Sequence, residues 1–303
     1  MTAASTSLPT TDRWWGPLLV LAGGVCIGFA PIGLRLGVAL GDQGLGPQAI
    51  AFWRYVFATP LLFALVLLVE RRLPAKPNRF VIMAGIFFAL DIGLWHWSLT
   101  MTTVANSTFI VNLGNLGVGL LAWVFLRERL TTIWLIAVSV ALAGAAMLSL
   151  GGAGEGQASI RGDTLAFVAA ILVSGYMLCS KVARRHLGAL DAIFWLTVTE
   201  VFVGALMTVV SGERFIPETS AGWRASAVLA VVVQCGGQGF IIAGLGRTPA
   251  AIAGILVLVQ PVVAAAISWF LFGEILAELQ IAGALLILLG VGLSQAKTPE
   301  KSR

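Results

Sequence analysis

The chain has 303 residues, 58% hydrophobic and 11% charged, with a mean hydropathy of +0.95. A soluble domain carries roughly a quarter charged residues to keep its surface wet, so this composition excludes a water-soluble globular protein. The net charge of +5 does not indicate nucleic acid, because the basic residues fall between apolar stretches and not on an aromatic-interleaved surface.

Crossing the hydrocarbon takes about 20 apolar residues per helix, and the chain supplies such stretches repeatedly. Met1 to Asp12 is uncharged before Asp12 and so lacks the basic start of a cleaved signal peptide, and the apolar run from Trp14 reads as a retained span. Runs bounded by Pro, Gly or charge predict helices over 14–40, 47–69, 80–100, 103–126, 132–150, 162–183, 189–210, 222–246, 249–272 and 278–296. Alternate connections carry Arg13; Arg71, Arg72, Lys76 and Arg79; Arg127 and Arg129; Lys181, Arg184 and Arg185; Arg247; and Lys297, Lys301 and Arg303. The other set holds Arg161, Arg214 and Arg224 beside Asp42, Glu155, Glu213, Glu218, Glu274 and Glu278. The positive-inside rule puts the first set, with both termini, in the cytoplasm of an inner-membrane protein. Cys26, Cys179 and Cys235 lie inside apolar stretches, and without a C-x-x-C spacing they predict neither a disulfide frame nor a metal site.

Shifting the chain by 146 residues superposes Ala105 on Ala251, Trp123 on Trp269, Glu128 on Glu274, Leu130 on Leu276, Gly144 on Gly290 and Gly16 on Gly162. The chain therefore divides into residues 1–150 and 151–303, five spans each. An odd number of spans turns the second copy upside down, so the expected fold is all-α integral membrane: ten transmembrane helices in two inverted five-helix repeats around a central cavity. Inverted repeats are a common construction of secondary transporters, with the substrate site near the midplane.

The run from Thr248 through Gln260 and Pro261, the segment Ser268 to Glu274, and Gly283 to Gly290 resemble the second half of an EamA-type member of the drug/metabolite transporter superfamily. The first half repeats the pattern as Thr103 to Thr108, Trp123 to Leu130 and Gly144. Asn115 stands where the second copy has Pro261, so no proline kink is expected in the fourth span. Trp95, His96, Trp97 and Ser98 end the third span, and with ten tryptophans overall the chain is similar to bacterial aromatic amino-acid exporters. That resemblance implies a mainly hydrophobic cavity lined by the first, third, fourth, sixth, eighth and ninth spans, with the second and seventh as gates.

Polar groups in hydrocarbon are costly, roughly 2.5–3.5 kcal/mol for a central charge on insertion scales, and mark the places where function concentrates. Asp91 lies one turn before Trp95, so one helix face presents a carboxylate and an indole together. It suits a substrate ammonium or a proton; the structural alternative is an anchor between helices. His96 suits a substrate carboxylate or a change of charge, against an ordinary interfacial histidine. Asn112 and Asn115 share a face of the fourth span, and Gln234 and Gln238 one of the eighth. With Asn106 and with Gln260 in the ninth they form the richest polar set, able to hold a zwitterion without a net charge to desolvate. For any one of these amides, interhelical hydrogen bonding is the plainer explanation.

Trp95 and Tyr176 are positioned to stack on an aromatic ring, whereas Trp14, Trp15, Trp53, Trp134 and Trp223 read as interfacial belt residues. Arg54 and Glu200, in equivalent places of the second and seventh spans, suggest a gating or structural charge pair, with Glu200 a secondary proton site. Arg35 and Lys181 are expected to snorkel to headgroups. No Walker loop, H-E-x-x-H, G-x-S-x-G or dinucleotide fingerprint occurs, so no enzyme, cofactor, metal site or ATP-driven pump is expected. The expected partners are a small-molecule substrate and the bilayer, in a monomer or weak homodimer. The expected activity is export of amino acids, aromatic and other neutral ones first, with a drug or other metabolite as the alternative cargo.

Overall fold

The computed structural model describes residues 12–33, 45–151, 159–273 and 275–295. Arg35, Asp42, Glu155, Glu274, Lys297, Lys301 and Arg303 lie outside the described residues, as does the last part of the expected first span. Every described regular element is helical. Among the described residues nine helices are long and apolar enough to cross a membrane: α1 (Trp14–Gly33), α2 (Pro47–Glu70), α3 (Arg79–Met101), α4 (Val104–Leu126), α5 (Thr132–Gly151), α6 (Ile160–Ala183), α7 (Ala189–Ser211), α8 (Ser220–Leu245) and α9 (Ala250–Phe272). A shorter apolar helix, α10 (Glu278–Ser294), follows.

Local chemistry sets where these helices start and stop. Asn78 Oδ1 accepts from the Val81 amide at 3.0 Å, Thr103 Oγ1 from Asn106 at 3.1 Å, Thr131 Oγ1 from Trp134 at 3.1 Å and Thr219 Oγ1 from Gly222 at 3.3 Å. Each satisfies a backbone donor that the first helical turn leaves free. At the other ends, Arg127 closes α4 with φ 57° and Gly273 closes α9 with φ 64°. These two positions are equivalent under the 146-residue shift, and glycine takes this left-handed cap without the steric cost that arginine bears.

Packing joins the two halves of the chain. α3 lies along α6 and α7, α1 along α8, α2 against α7, the second part of α4 against the first part of α9, and α5 against α10. At the α5–α10 crossing a Cβ added to Gly144 would come 2.5 Å from the Gly283 carbonyl oxygen, and one added to Gly290 2.7 Å from that of Ala137. The shift converts Gly144 to Gly290 and Ala137 to Gly283, so the crossing maps onto itself when the halves are exchanged. The contact of Gly16 with Thr248 likewise corresponds to that of Gly162 with Thr102. With no hydrophobic driving force between helices in lipid, such backbone-to-backbone approach is a main source of association.

The basic connections gather at one end of the bundle. There Lys181 Nζ donates to the carbonyls of Leu245 at 2.7 Å and Thr248 at 2.6 Å, and Arg184 Nε to that of Ile242 at 3.0 Å. Lys181 therefore does not snorkel to headgroups: a lysine beside unpaired helix-end carbonyls is better satisfied by them. Burial, followed by the charge of Arg247, pulls the Arg184 guanidinium below its ordinary range. Glu128 caps α9, its carboxylate accepting from the Ala250 and Ala251 amides at 3.0 and 3.1 Å. Arg72 spans from α2 to α7, donating to Asp191 at 3.0 and 2.6 Å and to Glu70 at 2.5 Å.

At the other end Glu213 accepts from the Ala49 amide at 2.8 Å, while burial holds its carboxyl above the usual carboxylate range. Trp134 is not a belt residue: it is buried, and Nε1 donates to the Ala251 carbonyl at 2.8 Å. Trp123 and Trp269, equivalent under the shift, are 57% and 58% exposed on the apolar outside.

Replacing Gly144 or Gly290 by Leu forces α5 and α10 apart and should destabilise the protein by about 1–3 kcal/mol, seen as a lower thermal midpoint in detergent. Leucine at the lipid-facing Trp123 should leave the midpoint close to wild type.

Candidate functional site

Two departures from regular α-helix determine which side chains face the middle of the bundle. In α8, Ala230–Gln238 is a π-helical segment. Its wider turn, a form that recurs at functional sites, aims both Gln234 and Gln238 at α7. There Gln234 Nε2 donates to Glu200 Oε2 at 2.6 Å and to Thr197 Oγ1 at 2.8 Å, and Gln238 Nε2 to Glu200 Oε1 at 2.8 Å. The Gln234 amide also meets Gln238 Oε1. Glu200 and Thr197 are fully buried, and Gln234 and Gln238 nearly so. Thr197 and Tyr55 were missed in the sequence; Thr197 sits three residues before Glu200 and so shares its helix face.

The second departure is a tightened turn in α4 and in α9. At Leu113 the amide is shared between the carbonyls of Ile110, at 3.0 Å, and Phe109, at 3.3 Å; at Leu258 it meets that of Ile255 at 3.1 Å. α4 has no proline at this place, as its sequence says, and yet its turn tightens as that of α9 does. Asn115 Nδ2 donates to the Asn112 carbonyl at 3.1 Å, and Gly114 and Gly117 flank it, so an amide and small residues accompany here the break that Pro261 accompanies in α9. The Asn115 side chain is committed to this local bond, while Asn112 and Gln260 remain half-buried and Asn106 lies in the first turn of α4.

Arg54 and Glu200 do not form the expected pair. The Arg54 guanidinium donates from Nη2 to the Tyr55 hydroxyl at 3.0 Å and lies 4.8 Å from that ring's centroid. Among the described residues no carboxylate is within ion-pair distance of Arg54. Glu200 is instead met by the two α8 amides, which reach it because the π-helical segment faces α7.

Asp91, His96 and Tyr176 are buried and Trp95 half-buried. Tyr55 and Tyr176 each lie within electrostatic range of both Asp91 and Glu200, and His96 within range of Arg54. The Tyr176 ring packs on Phe88 with centroids 4.7 Å apart, and Trp95 on His96 at 5.5 Å. Asp91 Oδ1, Trp95 Nε1, His96 Nδ1 and the Tyr176 hydroxyl are enclosed without a hydrogen-bond partner. Buried polar atoms are rarely left so, because each forfeits about 1–3 kcal/mol.

None of these residues lines either of two hollows found elsewhere in the bundle. One, of about 230 Å³, lies at the basic end between Glu128, Arg129, Trp134 and Ile252; the other, an open apolar groove of about 400 Å³, lies between α2 and α7 and includes Pro60, Phe63 and Phe194. Among the described residues no group of three His, Cys, Asp or Glu is placed to hold a metal ion.

The EamA-like transporter family pattern matches residues 14–150 and again residues 160–295. The chain belongs to the EamA-like transporter family. It is 24% identical over 271 residues to "Uncharacterized transporter YwfM" of Bacillus subtilis, covering 88% of this chain and 89% of that one. It is 25% identical over 232 residues to "Uncharacterized transporter YetK" of the same organism, covering 73% and 70%. A solved crystal structure superposes with a TM-score of 0.78 at 16% identity, over 93% of this chain and 98% of that chain, which establishes a shared fold. The family carries small molecules across a membrane.

Removing the Glu200 carboxyl as Ala strands the buried Gln238 amide, whereas Gln234 keeps Thr197 and Gln238 as acceptors, and should destabilise the protein by about 1–3 kcal/mol. Glu200→Gln, which keeps the volume and an acceptor oxygen, should cost less than half of that; thermal unfolding in detergent separates the two.

Proposed function

We propose that this chain is a secondary transporter that exports amino acids, aromatic and other neutral ones first, by alternating access between two inverted five-helix halves, residues 1–150 and 151–303. In this reading α10 is the tenth span and both termini are cytoplasmic. Three observations support the inverted halves. The family pattern occurs twice, the α5–α10 crossing and the Gly16 and Gly162 contacts are exchanged by the 146-residue shift, and each half holds an odd number of apolar helices. The gathering of Lys181, Arg184 and Arg247 at one end supports that end as cytoplasmic.

The observation that carries the substrate reading is the set of enclosed, unpartnered polar atoms on Asp91, Trp95, His96 and Tyr176, beside the aromatic faces of Phe88 and Trp95. An amino acid answers each of these. Its ammonium satisfies the Asp91 carboxylate and its carboxylate accepts from the His96 ring and the Tyr176 hydroxyl, while an aromatic side chain lies against the rings. Asn112 and Gln260 extend this polar lining from α4 and α9. Gln234 and Gln238 complete it from α8, and Arg54 and Glu200 connect it to the gating helices α2 and α7. A second reading, export of a drug or other lipophilic metabolite, is favoured by the apolar groove between α2 and α7, a lateral entry for a solute that partitions into lipid.

Proteoliposomes containing the purified protein should take up labelled phenylalanine, methionine or threonine above empty liposomes. Asp91→Asn should reduce that uptake about tenfold or more, the loss of one charge-assisted hydrogen bond. Uptake no greater than in empty liposomes for all three overturns the amino-acid reading, and competition by lipophilic cations at concentrations where amino acids do not compete favours the second.

A further inference from the structure

The buried charges around Glu200 do not balance. Four charged residues of the described chain have buried side chains: Arg54, Asp91, Asp191 and Glu200. Asp191 is neutralised by Arg72, which leaves two carboxyls, Asp91 and Glu200, for one guanidinium, Arg54. The membrane interior tolerates no uncompensated charge cheaply, so this set is one positive charge short.

Geometry places the deficit. Glu200 is fully buried, and the groups that meet it are neutral: the amides of Gln234 and Gln238, with Thr197 beside them on the Gln234 nitrogen. With the carboxylate ionised the cluster therefore holds a buried negative charge that nothing in contact with it neutralises. No cation is within ion-pair distance of Glu200 among the described residues, and Arg54 is engaged by Tyr55. Arg54 and Tyr55 from α2 and Tyr176 from α6 lie within electrostatic range of Glu200, and Asp91 of α3 lies within range of the same two tyrosines. Of these, Arg54 alone carries a fixed positive charge.

We infer that Glu200, held between Thr197 of α7 and the π-helical amides Gln234 and Gln238 of α8, is a proton-binding site that couples transport to proton movement. The inference deepens the transporter reading and rests on it. While α7 and α8 are in contact the carboxyl holds the proton; when α8 moves away, water reaches Glu200 and the proton leaves to that side. Each passage of the gate thus moves one proton, bound and released at the carboxyl oxygen with no other bond changed. A metal cation fits less well, because the amide N–H groups, and not the amide oxygens, point at the carboxylate.

Two measurements on the full-length protein test this. In detergent, difference titration of wild type against Glu200→Gln across about pH 5 to 9 should show one additional proton in wild type. In proteoliposomes, an imposed pH gradient should stimulate labelled phenylalanine uptake and change the fluorescence of enclosed pyranine. The stimulation should fall to less than about twofold in Glu200→Gln and persist in Glu200→Asp, each checked for a monodisperse elution profile. An absent titrating proton, gradient stimulation equal to wild type in Glu200→Gln, or drive by a sodium gradient in place of the pH gradient overturns the inference. A titrating proton without flux of any amino acid supports the site and overturns the amino-acid reading.

Discussion

A polar atom within hydrocarbon has no water to fall back on, and that constraint governs this protein more than any single contact. It makes every described span a helix, since only then are backbone donors and acceptors paired within the segment. It also explains the economy at the helix ends, where Asn78, Thr103, Thr131 and Thr219 side chains stand in for missing carbonyls. The same constraint turns the interior polar residues into information. Those with partners, such as Ser174, which donates to the Gly114 carbonyl at 2.8 Å, hold helices together. Those without partners, such as Asp91 Oδ1 and His96 Nδ1, hold hydrogen-bonding capacity in reserve.

Packing and polarity cooperate in positioning that place. Small residues let α1 approach α8, and α3 approach α7, closely enough for backbone to meet side chain: a Cβ on Gly23 would strike the Gly237 carbonyl oxygen, and one on Gly85 that of Leu196. α3 is thereby pinned between α6 and α7, which carries Asp91 and His96 to the middle. Gln48 reinforces this by donating to the Gly93 carbonyl at 2.8 Å. The π-helical segment then turns the α8 amides towards α7.

Most of the architecture was legible in the sequence because hydrophobic length and charge asymmetry are strong one-dimensional signals. The predicted span 80–100 is realised as Arg79–Met101, and 189–210 as Ala189–Ser211. Individual polar partners were not legible. Gln234 and Gln238 were recognised as sharing a face, yet nothing in their spacing announces a π-helical turn, and nothing along the chain says that Glu200 meets them and not Arg54. Trp134 and Lys181 were misplaced for a related reason. Position near a span end predicts an interfacial role on average, whereas here a carbonyl from a different helix lies within reach of each. The α4 break was missed because proline is a conspicuous cause of irregularity and an asparagine bonding its own backbone is a quiet one.

The clamp on the α8–α9 connection constrains how the molecule can bend. Lys181 holds the carbonyl side of that connection, Glu128 holds its amide side, and Trp134 fastens the first turn of α9. A hairpin secured at its tip cannot pivot there. Any relative motion of α8 and α9 must be absorbed deeper, in the loosened turns of Ala230–Gln238 and at Leu258. The flexible points of this helix pair are thus moved from the water-exposed loop to the depth of the bilayer where the enclosed polar side chains lie, so that bending the scaffold and reshaping the site become one mechanical event.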